Sequence, residues 1–278
     1  MTLQIVRTIA ELREVTGGWR KAGMKSAVVP TMGALHDGHL TLVREGLKHA
    51  DRCVATLFVN PKQFAANEDL SRYPRDEAGD AAKLASAGAN LLYAPAPEVM
   101  YPPNFATTVS LSGPAAAGLE DRFRPDFFAG VSTVVAKLFN QCQCDFAMFG
   151  EKDYQQLQVV TRMAADLDMP IQIVGCPTVR QLDGLAMSSR NAYLSAEERA
   201  KAVAIYKSLT QAAEAIRKGI SPDEAAAKAA ASLTDFRVDY VEARSAGTLE
   251  RVDKFDTTLR LLAAAWLGKT RLIDNIAV

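Results

Sequence analysis

The sequence predicts an α/β fold in which a doubly wound parallel sheet is followed by a smaller C-terminal α+β domain. In the first part of the chain, apolar runs of strand length alternate with segments of helical periodicity. That alternation implies right-handed crossovers and a Rossmann-like sheet with helices on both faces. The pattern changes near residues 177–190, after which helices precede apolar runs suited to antiparallel strands. We therefore expect two domains, at residues 1–178 and 179–278.

Capping signals and punctuating residues delimit the elements of the first domain. Residues 8–11 have the form of a capping box that starts a helix, and Gly88 ends another helix. Pro61 ends a strand and leaves Lys62 and Gln63 in a loop. The expected strands are residues 25–30, 53–59, 90–94, 145–149 and 171–174, with an edge strand at 107–111. The expected helices begin near residues 8 and 36 and occupy residues 76–87, 131–140 and 153–168.

The rest of the chain contains one long segment without a regular pattern, followed by the second domain. Residues 113–130 are rich in glycine and alanine, and we expect a flexible segment able to cover a site. In the second domain, capping boxes at residues 195–198 and 221–224 open two helices, the first running to about Lys218. The strands expected after them are residues 238–243, 259–266 and 270–276.

The composition excludes several classes of protein. The 278 residues carry 32 basic and 32 acidic side chains, so no overall positive field indicates a nucleic-acid partner. The N-terminus lacks the apolar core of a signal peptide and no run reaches the length of a membrane span. We therefore expect a cytoplasmic protein without a membrane partner. The four cysteines lack the spacing of a zinc or redox motif, so we expect them to be reduced and structural.

Residues 28–40, VVPTMGALHDGHL, join a buried strand to an amphipathic helix through a loop with two glycines and two histidines. Backbone N–H groups at the helix start favour an anion, and Gly33 and Gly38 let the backbone approach a phosphate. His36 and His39 are three residues apart, so both can donate hydrogen bonds to phosphate oxygens as charge builds. Half of a metal site, or two surface histidines, would fit the same spacing. No cysteine or carboxylate cluster lies nearby in the sequence to complete a zinc shell.

Two further loops carry groups suited to phosphate. Lys152 follows a strand and Gly150, where its ammonium can act as a point charge on phosphate oxygens. Residues 187–190, Met-Ser-Ser-Arg, offer two hydroxyls, backbone N–H groups and a guanidinium for an anion such as pyrophosphate. A surface lysine and a capped turn with a surface arginine are the structural alternatives.

Candidate functional residues fall in four loops that follow strands. These loops are residues 33–39, 60–63, 150–153 and 177–190. Ligands of open parallel sheets bind beyond the carboxyl ends of the strands, so we expect the four loops to converge on one crevice. The sequence has no serine-nucleophile elbow, Walker A motif or recognisable catalytic cysteine. This favours transfer to a bound substrate by positioning and charge stabilisation.

Four strings of the sequence resemble the pantothenate synthetase family, in that family's order and spacing. They are PTMGALHDGH from Pro30, FVNPKQF from Phe58, FGEKDYQQL from Phe149 and DGLAMSSRN from Asp183. The resemblance covers nearly the whole chain. It implies ATP-dependent condensation of pantoate with β-alanine to pantothenate, AMP and pyrophosphate, through an enzyme-bound pantoyl adenylate. It also implies Mg²⁺ on the ATP phosphates, a cytoplasmic homodimer, and a second domain that closes over the ATP site.

The resemblance further implies roles for individual residues. The catalytic residues are His39 as proton donor, His36 beside the phosphates, and Lys152, Ser188, Ser189 and Arg190. The ATP-binding residues are Met32, Gly33, Ala34, Leu35, His36, Asp37, Gly38, His39, Gly150, Glu151, Lys152, Asp153, Val179, Met187, Ser188, Ser189 and Arg190. Gln63 and Gln156 match positions that bind pantoate, and Gln63 also matches one for β-alanine. The family usually carries a histidine where this chain has Phe127, and any role for that position stays open.

The role of Asp80 and the function of the chain both have alternatives. Asp80 is a candidate metal ligand, although a solvated helix face is the interpretation we favour. The nearest rival function is another His-x-Gly-His adenylyltransferase acting on a phosphate ester. Such a substrate needs extra cationic groups, whereas Gln63 and Gln156 indicate a less charged pocket. A regulatory nucleotide-binding module that turns nothing over would not need two histidines, a lysine and an arginine around one phosphate chain.

Overall fold

The computed structural model describes residues 3–64, 70, 73–252 and 258–278. Contacts divide the chain into two compact units. The first unit contains Met1–Gly150 and Val159–Cys176, and the second contains Glu151–Gln158 and Pro177–Val278. Residues 151–158 thus group with the second unit, although the sequence analysis placed them in the first domain. The division at residue 178 and the closing role of the second domain stay predictions.

Strands and helices alternate along the first unit. Its strands are β1 Gln4–Val6, β2 Ser26–Thr31, β3 Arg52–Leu57, β4 Leu91–Tyr93, β5 Phe146–Gly150 and β6 Gln172–Cys176. Its helices are α1 Ile9–Lys21, α2 Asp37–His49, α3 Glu77–Ala87, α4 Pro97–Met100, α5 Glu120–Phe123, α6 Phe127–Cys142 and α7 Tyr154–Asp166, of which α7 begins in the second unit. Short 3₁₀ turns occupy Pro61–Gln63 and Gly113–Ala116. Within the described ranges, no helix is long and apolar enough to cross a membrane.

The six strands form one parallel sheet in the order β1-β4-β3-β2-β5-β6. This confirms the predicted doubly wound, Rossmann-like sheet. Central β2 is buried at Ala27, Val28 and Val29, as expected for a strand covered on both faces. Helix α2 packs closely on the sheet because a Cβ at Gly46 would lie 3.2 Å from the Cβ of Ala27. The strand order reverses between β2 and β5, which places the switch point of the sheet there.

Local capping signals predicted the helix ends of the first unit well. The side chains of Thr8 and Glu11 form the predicted capping box at the start of α1. Asp76 caps α3, and Gly88 ends it in the left-handed conformation (φ +94°), which favours glycine. Strand β1 was missed because a strand of three residues carries too little periodicity to be distinguished from a loop.

Two predictions for residues 101–130 were wrong. The expected edge strand at 107–111 is absent from these described residues, because the N–H of Val109 donates to Thr133 Oγ1 instead of to a neighbouring strand. Residues 113–130 are not one long flexible segment, since they contain the turn Gly113–Ala116, α5 and the start of α6. The Asp121 carboxylate accepts the N–H groups of Gly118 and Leu119 and orders the approach to α5. A covering role for this segment stays a prediction.

The second unit builds helices before an antiparallel sheet, as predicted. Its further elements are α8 Ala196–Ala202, α9 Ala204–Arg217, α10 Pro222–Ser232, β7 Arg237–Ser245, β8 Leu259–Leu267 and β9 Thr270–Ala277, with 3₁₀ turns at Glu151–Asp153 and Ser189–Tyr193. The strands pair in the order β7-β8-β9. Its core contains Leu209 and Ile216 of α9 and Leu261 of β8. The single helix expected from residue 195 to Lys218 is interrupted at Val203, and nothing in the structure explains the break.

The cysteines are free thiols inside the protein, as expected. Cys53, Cys142, Cys144 and Cys176 are all buried. Burial disfavours the thiolate and raises the pKa of Cys53 and of Cys144 to about 12, and that of Cys142 well above its usual value. Because the thiolate is the reactive form, these three thiols are protonated and unreactive near neutral pH.

We therefore predict that the native protein reacts very slowly with Ellman's reagent at pH 8. In denaturant the pKa of an exposed thiol falls to about 8.5, and all four cysteines should then react rapidly. Absorbance of the released thionitrobenzoate measures both rates. Fast modification of any thiol in the native protein would contradict this account.

Candidate active site

The loop after β2 forms a tight left-handed turn. Gly33 (φ +89°) and Ala34 (φ +52°) both adopt positive φ, which costs a residue with a Cβ about 1–2 kcal/mol. A Cβ at Gly33 would lie 3.0 Å from Asp80 Oδ2, so the turn requires glycine there for space as well as for conformation. Gly38, by contrast, lies in the first turn of α2. The two glycines of the motif therefore serve different purposes.

His36 and His39 lie together at the start of α2. His36 is the N-cap, and the centroids of the two rings are 4.1 Å apart, so the rings are neighbours, while a shared ligand stays a prediction. The N–H of Gly38 donates to His36 Nδ1 at 3.2 Å, and the N–H of His36 donates to His39 Nδ1 at 3.4 Å. A nitrogen that accepts carries no proton, so we assign the proton of each neutral ring to Nε2. Each neutral ring thus carries its N–H at Nε2.

Asp80 holds this loop from α3. Its Oδ2 accepts the N–H of Ala34 and its Oδ1 accepts the N–H of Leu35, each at 2.9 Å. Lys83, one turn later, donates to the carbonyl oxygen of Leu35 at 2.9 Å. The Asp80 side chain is only 1% exposed, so the favoured interpretation of a solvated helix face was wrong. Two charge-assisted bonds, which the buried carboxylate accepts from backbone N–H groups, offset the cost of the left-handed Ala34.

Gln63 lies beside the same loop. Its Nε2 is 2.9 Å from Met32 Sδ, and its Oε1 accepts from Asn60 Nδ2 at 3.0 Å. Asn60 in turn accepts a hydrogen bond from Tyr101 Oη at 2.8 Å. Burial raises the pKa of Tyr101 to about 12, so its hydroxyl remains a donor at neutral pH. The predicted substrate residue Gln63 and the predicted nucleotide residue Met32 are therefore in contact.

The turn that carries Gln63 is docked on α6 at a glycine. A Cβ at Gly130 would lie 2.1 Å from the carbonyl oxygen of Lys62, and Asn60 Nδ2 donates to the Gly130 carbonyl at 3.1 Å. Arg124 donates to the Gln63 carbonyl at 3.0 Å, and its guanidinium lies 3.6 Å from the centre of the Phe127 ring. Phe127 thus supports the arginine that holds the turn.

A second group of predicted site residues lies in the second unit, in the turn before α7. Lys152 belongs to the 3₁₀ turn Glu151–Asp153; its side chain is 17% exposed and its ammonium is 3.6 Å from Asp153. Gln156 follows in the first turns of α7 and is half-buried. Burial raises the pKa of Tyr154, whose hydroxyl donates to the Ala246 carbonyl and fixes the helix start.

The other loop of the second unit brings Val179 and Met187 together. The N–H of Met187 donates to the Val179 carbonyl at 2.9 Å, and Arg180 pairs with Ala186 in an antiparallel bridge. The chain then enters the turn Ser189–Tyr193, where Ser188 Oγ accepts the N–H of Arg190 at 3.3 Å. This turn and the turn Glu151–Asp153 both pack against β9. The predicted phosphate-binding residues of this unit therefore share one supporting strand.

Comparisons with known proteins bear on this arrangement. The profile described as Pantoate-beta-alanine ligase matches residues 4–277. The pantothenate synthetase of Caulobacter vibrioides is 59% identical over 280 residues, which cover 99% of this chain and 98% of that protein. The chain belongs to the pantoate-β-alanine ligase family. A match over the full length disfavours the rival adenylyltransferase acting on a phosphate ester.

Solved structures of the family share the fold described above. The pantothenate synthetase of Thermus thermophilus has a TM-score of 0.91 at 45% identity, with 99% of both chains covered. The pantoate-beta-alanine ligase of Francisella tularensis, complexed with beta-gamma ATP and beta-alanine, has a TM-score of 0.82 at 30% identity. That match covers 99% of this chain and 97% of the other. The α/β sheet with a small C-terminal α+β domain is therefore the fold of the pantoate-β-alanine ligase family.

The contacts that hold the site residues in place were not predictable from the sequence. Asp80 lies 46 residues from Ala34 along the chain, and no local pattern relates them. Asn60 precedes a proline in the FVNPKQF string, which gave a signal for a turn but none for contact with Gln63. The structure brings site residues together within each unit. Convergence of all four predicted loops on one crevice stays a prediction.

Asp80 fits a structural anchor better than a magnesium ligand. Both of its oxygens accept backbone N–H groups, and the Lys83 ammonium lies 3.7 Å from Oδ1. In the part of the chain that the structure describes, no three histidine, cysteine, aspartate or glutamate side chains form a group suited to a metal ion. A magnesium role for Asp80 therefore stays a prediction that this geometry does not favour.

We predict that Asp80→Asn destabilises the loop after β2. The amide group of asparagine would oppose one backbone N–H, and leaving a buried donor unsatisfied costs about 1–3 kcal/mol. Hydrogen exchange of the Ala34 and Leu35 amides, followed by mass spectrometry, should become faster.

The matched control is Asp76→Ala, which removes the N-cap of the same helix and costs about 1 kcal/mol. It should lower the global stability in urea while leaving exchange in residues 33–36 unchanged. Equal exchange in both variants would refute the anchoring role of Asp80.

Proposed function

We propose that the chain catalyses the ATP-dependent condensation of pantoate with β-alanine, which yields pantothenate, AMP and pyrophosphate. The observation that carries this proposal is the pair of histidines at the switch point of the sheet, with both protons assigned to Nε2. The end of a parallel strand and the start of a helix form a preferred site for phosphate groups. The family match supports the choice of acid and amine.

The chemistry requires activation of the pantoate carboxylate. In the first step a carboxylate oxygen attacks the α-phosphorus of ATP, and pyrophosphate leaves with the electrons of the broken P–O bond. In the second step the β-alanine amine attacks the carbonyl carbon of the adenylate, loses a proton, and expels AMP. Charge builds on phosphate oxygens in both steps, and preorganised N–H donors stabilise such charge.

The first group of site residues fits the phosphates and the acid. We assign His39 and His36 to donate Nε2–H bonds to the phosphates, with His39 as the proton donor. The backbone of Met32–Leu35 and the first turn of α2, with Asp37 and Gly38, would line the nucleotide. Gln63 would hold the pantoate, and later the β-alanine, beside Met32.

The second group supplies cations and hydroxyls. Lys152 would place a point charge on the phosphates, with Ser188, Ser189 and Arg190 as further donors. Gly150, Glu151, Asp153, Val179 and Met187 would contact the nucleotide, and Gln156 the pantoate. Two amides, Gln63 and Gln156, suit a hydroxy acid better than a second phosphate.

Three further properties are proposed on the resemblance to the family. ATP would enter with Mg²⁺ held by phosphate oxygens and water, since magnesium commonly binds through substrate phosphates with few protein ligands. We propose also that the enzyme is a homodimer and that it acts in the cytoplasm. Light scattering measures whether the enzyme is a homodimer, and fractionation of cells measures whether it lies in the cytoplasm.

We predict that His39→Ala and Lys152→Ala each lower kcat by a hundredfold or more while the fold survives. Loss of one donor aimed at developing charge costs about 3–4 kcal/mol in the transition state. Pyrophosphate release with ATP, pantoate and β-alanine measures the rates, and circular dichroism monitors the fold.

Two exposed residues provide matched controls. His49 lies at the far end of α2, and Lys228 lies on α10 with its side chain 67% exposed. His49→Ala and Lys228→Ala should retain nearly full activity. Near wild-type turnover in folded His39→Ala and Lys152→Ala would show that the phosphates bind elsewhere.

We predict that ¹⁸O in the pantoate carboxylate appears in AMP. Positional isotope exchange within ATP should require pantoate but not β-alanine, because the adenylate forms before the amine reacts. Mass spectrometry of the nucleotides measures both. Label in inorganic phosphate, with ADP as product, would indicate an acyl phosphate and exclude the adenylate route. Failure to release pyrophosphate with any acid and amine would favour a regulatory nucleotide-binding module.

A further inference from the structure

We infer that Asn275 of β9 is a positioning residue for Lys152, and that its neighbour Asp274 does the same for the loop of Val179 and Met187. The inference rests on the proposed function. Asn275 and Asp274 lie outside the segments proposed to bind ATP, but their side chains contact those segments and hold them in place. Both residues come from the last strand of the chain, more than a hundred residues after Lys152.

Asn275 binds the two peptide groups that flank Lys152. Its Nδ2 donates to the carbonyl oxygens of Glu151 and Lys152, each at 2.8 Å. Its Oδ1 accepts from Arg260 Nε at 2.6 Å, so both donors and the acceptor of the amide are used. Asn275 is 3% exposed, so water cannot replace these bonds cheaply. The Asn275 side chain therefore restrains the backbone of Lys152.

Arg260 of β8 binds the side chain of Glu151 as well as that of Asn275. Its Nη2 donates to Glu151 Oε2 at 2.8 Å, and its guanidinium lies 4.1 Å from the centre of the Tyr154 ring. The planar guanidinium thus fixes the carboxylate, the Asn275 amide and the first residue of α7 in one arrangement. An ordinary turn would leave its carbonyl groups to solvent.

Asp274 repeats the arrangement for the other loop. Its carboxylate forms a bidentate ion pair with Arg180, at 2.6 and 2.9 Å. Arg180 also donates to the carbonyl oxygens of Gly184 and Asn275, and lies 4.0 Å from the centre of the Tyr206 ring. Arg180 directly follows Val179, whose carbonyl accepts the N–H of Met187. The two neighbouring residues of β9 thus anchor both proposed phosphate-binding segments of this unit.

The network is better explained by a need to place the site residues accurately than by a need to stabilise the fold. Replacing a buried ion pair with apolar residues often leaves the stability of a protein unchanged or raises it. Such pairs therefore contribute little to the stability of a fold. A misplacement of about 1 Å can cost a hundredfold in rate, and side chains that support a site limit such errors. The bonds of Asn275 end on the carbonyls of Glu151 and Lys152, which lie at the proposed site.

Asn275→Asp tests this role because the residue keeps its size but loses both donors, and its charge faces two carbonyl oxygens. We expect kcat/KM for ATP to fall about 10- to 100-fold. Arg260→Lys provides a second, milder variant that keeps the charge but loses the Nε donor to Asn275. It should lower the same constant by a smaller factor.

The matched control is Asp239→Asn in the same sheet. Asp239 accepts from Trp266 Nε1 and Arg271 Nε and joins the three strands away from the turn at Glu151–Asp153. This variant should lower the melting temperature while leaving kcat/KM for ATP within about threefold of the wild type. If Asp239→Asn reduced kcat/KM as much as Asn275→Asp at equal loss of melting temperature, Asn275 would be a stability residue only.

A double-mutant cycle with Lys152→Ala separates this inference from the proposed function. If Asn275 acts through Lys152, Asn275→Asp should change kcat/KM by less than about threefold in the Lys152→Ala background. A full additive loss in that background would overturn the positioning role. Wild-type kcat/KM in Asn275→Asp and Arg260→Lys would overturn it as well. Wild-type activity in Lys152→Ala alone would instead refute the proposed function of Lys152.

Discussion

The order of strands around β2 is the constraint that decides where the segments after β2 and β5 begin. β3 pairs with one edge of β2 and β5 with the other, and all three strands run parallel. The chain therefore leaves β2 and β5 at the same edge of the sheet while their connections diverge to opposite sides. The histidine turn follows β2, and Gly150 leads from β5 to Lys152. Each segment therefore begins at the carboxyl end of its own strand.

Much of the fold was predictable because its determinants are local. Apolar runs marked the central strands within a few residues, and Thr8, Asp76 and Ser195 capped helices through bonds to residues three positions away. The start of α2 at His36 was predictable for the same reason, because residues 28–40 change from a strand pattern to a helical pattern. Loop residues after strands could then be selected as candidates for the site without knowledge of any contact.

The supporting interactions could not be predicted, because they join residues remote in sequence. Asp80 reaches the backbone of Ala34, and Asn275 reaches that of Lys152, and in each case the acceptor or donor is a peptide group that any residue carries. When a side chain binds a backbone group, the partner can be any type of residue. The sequence therefore contains no pair of residue types from which the contact could be predicted. The edge strand expected at 107–111 failed for a related reason, since the hydroxyl of Thr133 replaced a neighbouring strand.

The stacking of Arg124 on Phe127 has a consequence for the electrostatics of the first unit. A histidine in place of Phe127 could gain a proton between about pH 5 and 8. Phe127 cannot ionise, and its ring centre lies 3.6 Å from the Arg124 guanidinium. The phenyl side of this contact beside the Gln63 turn therefore does not change on acidification. In this chain, any titration near that turn must come from other groups.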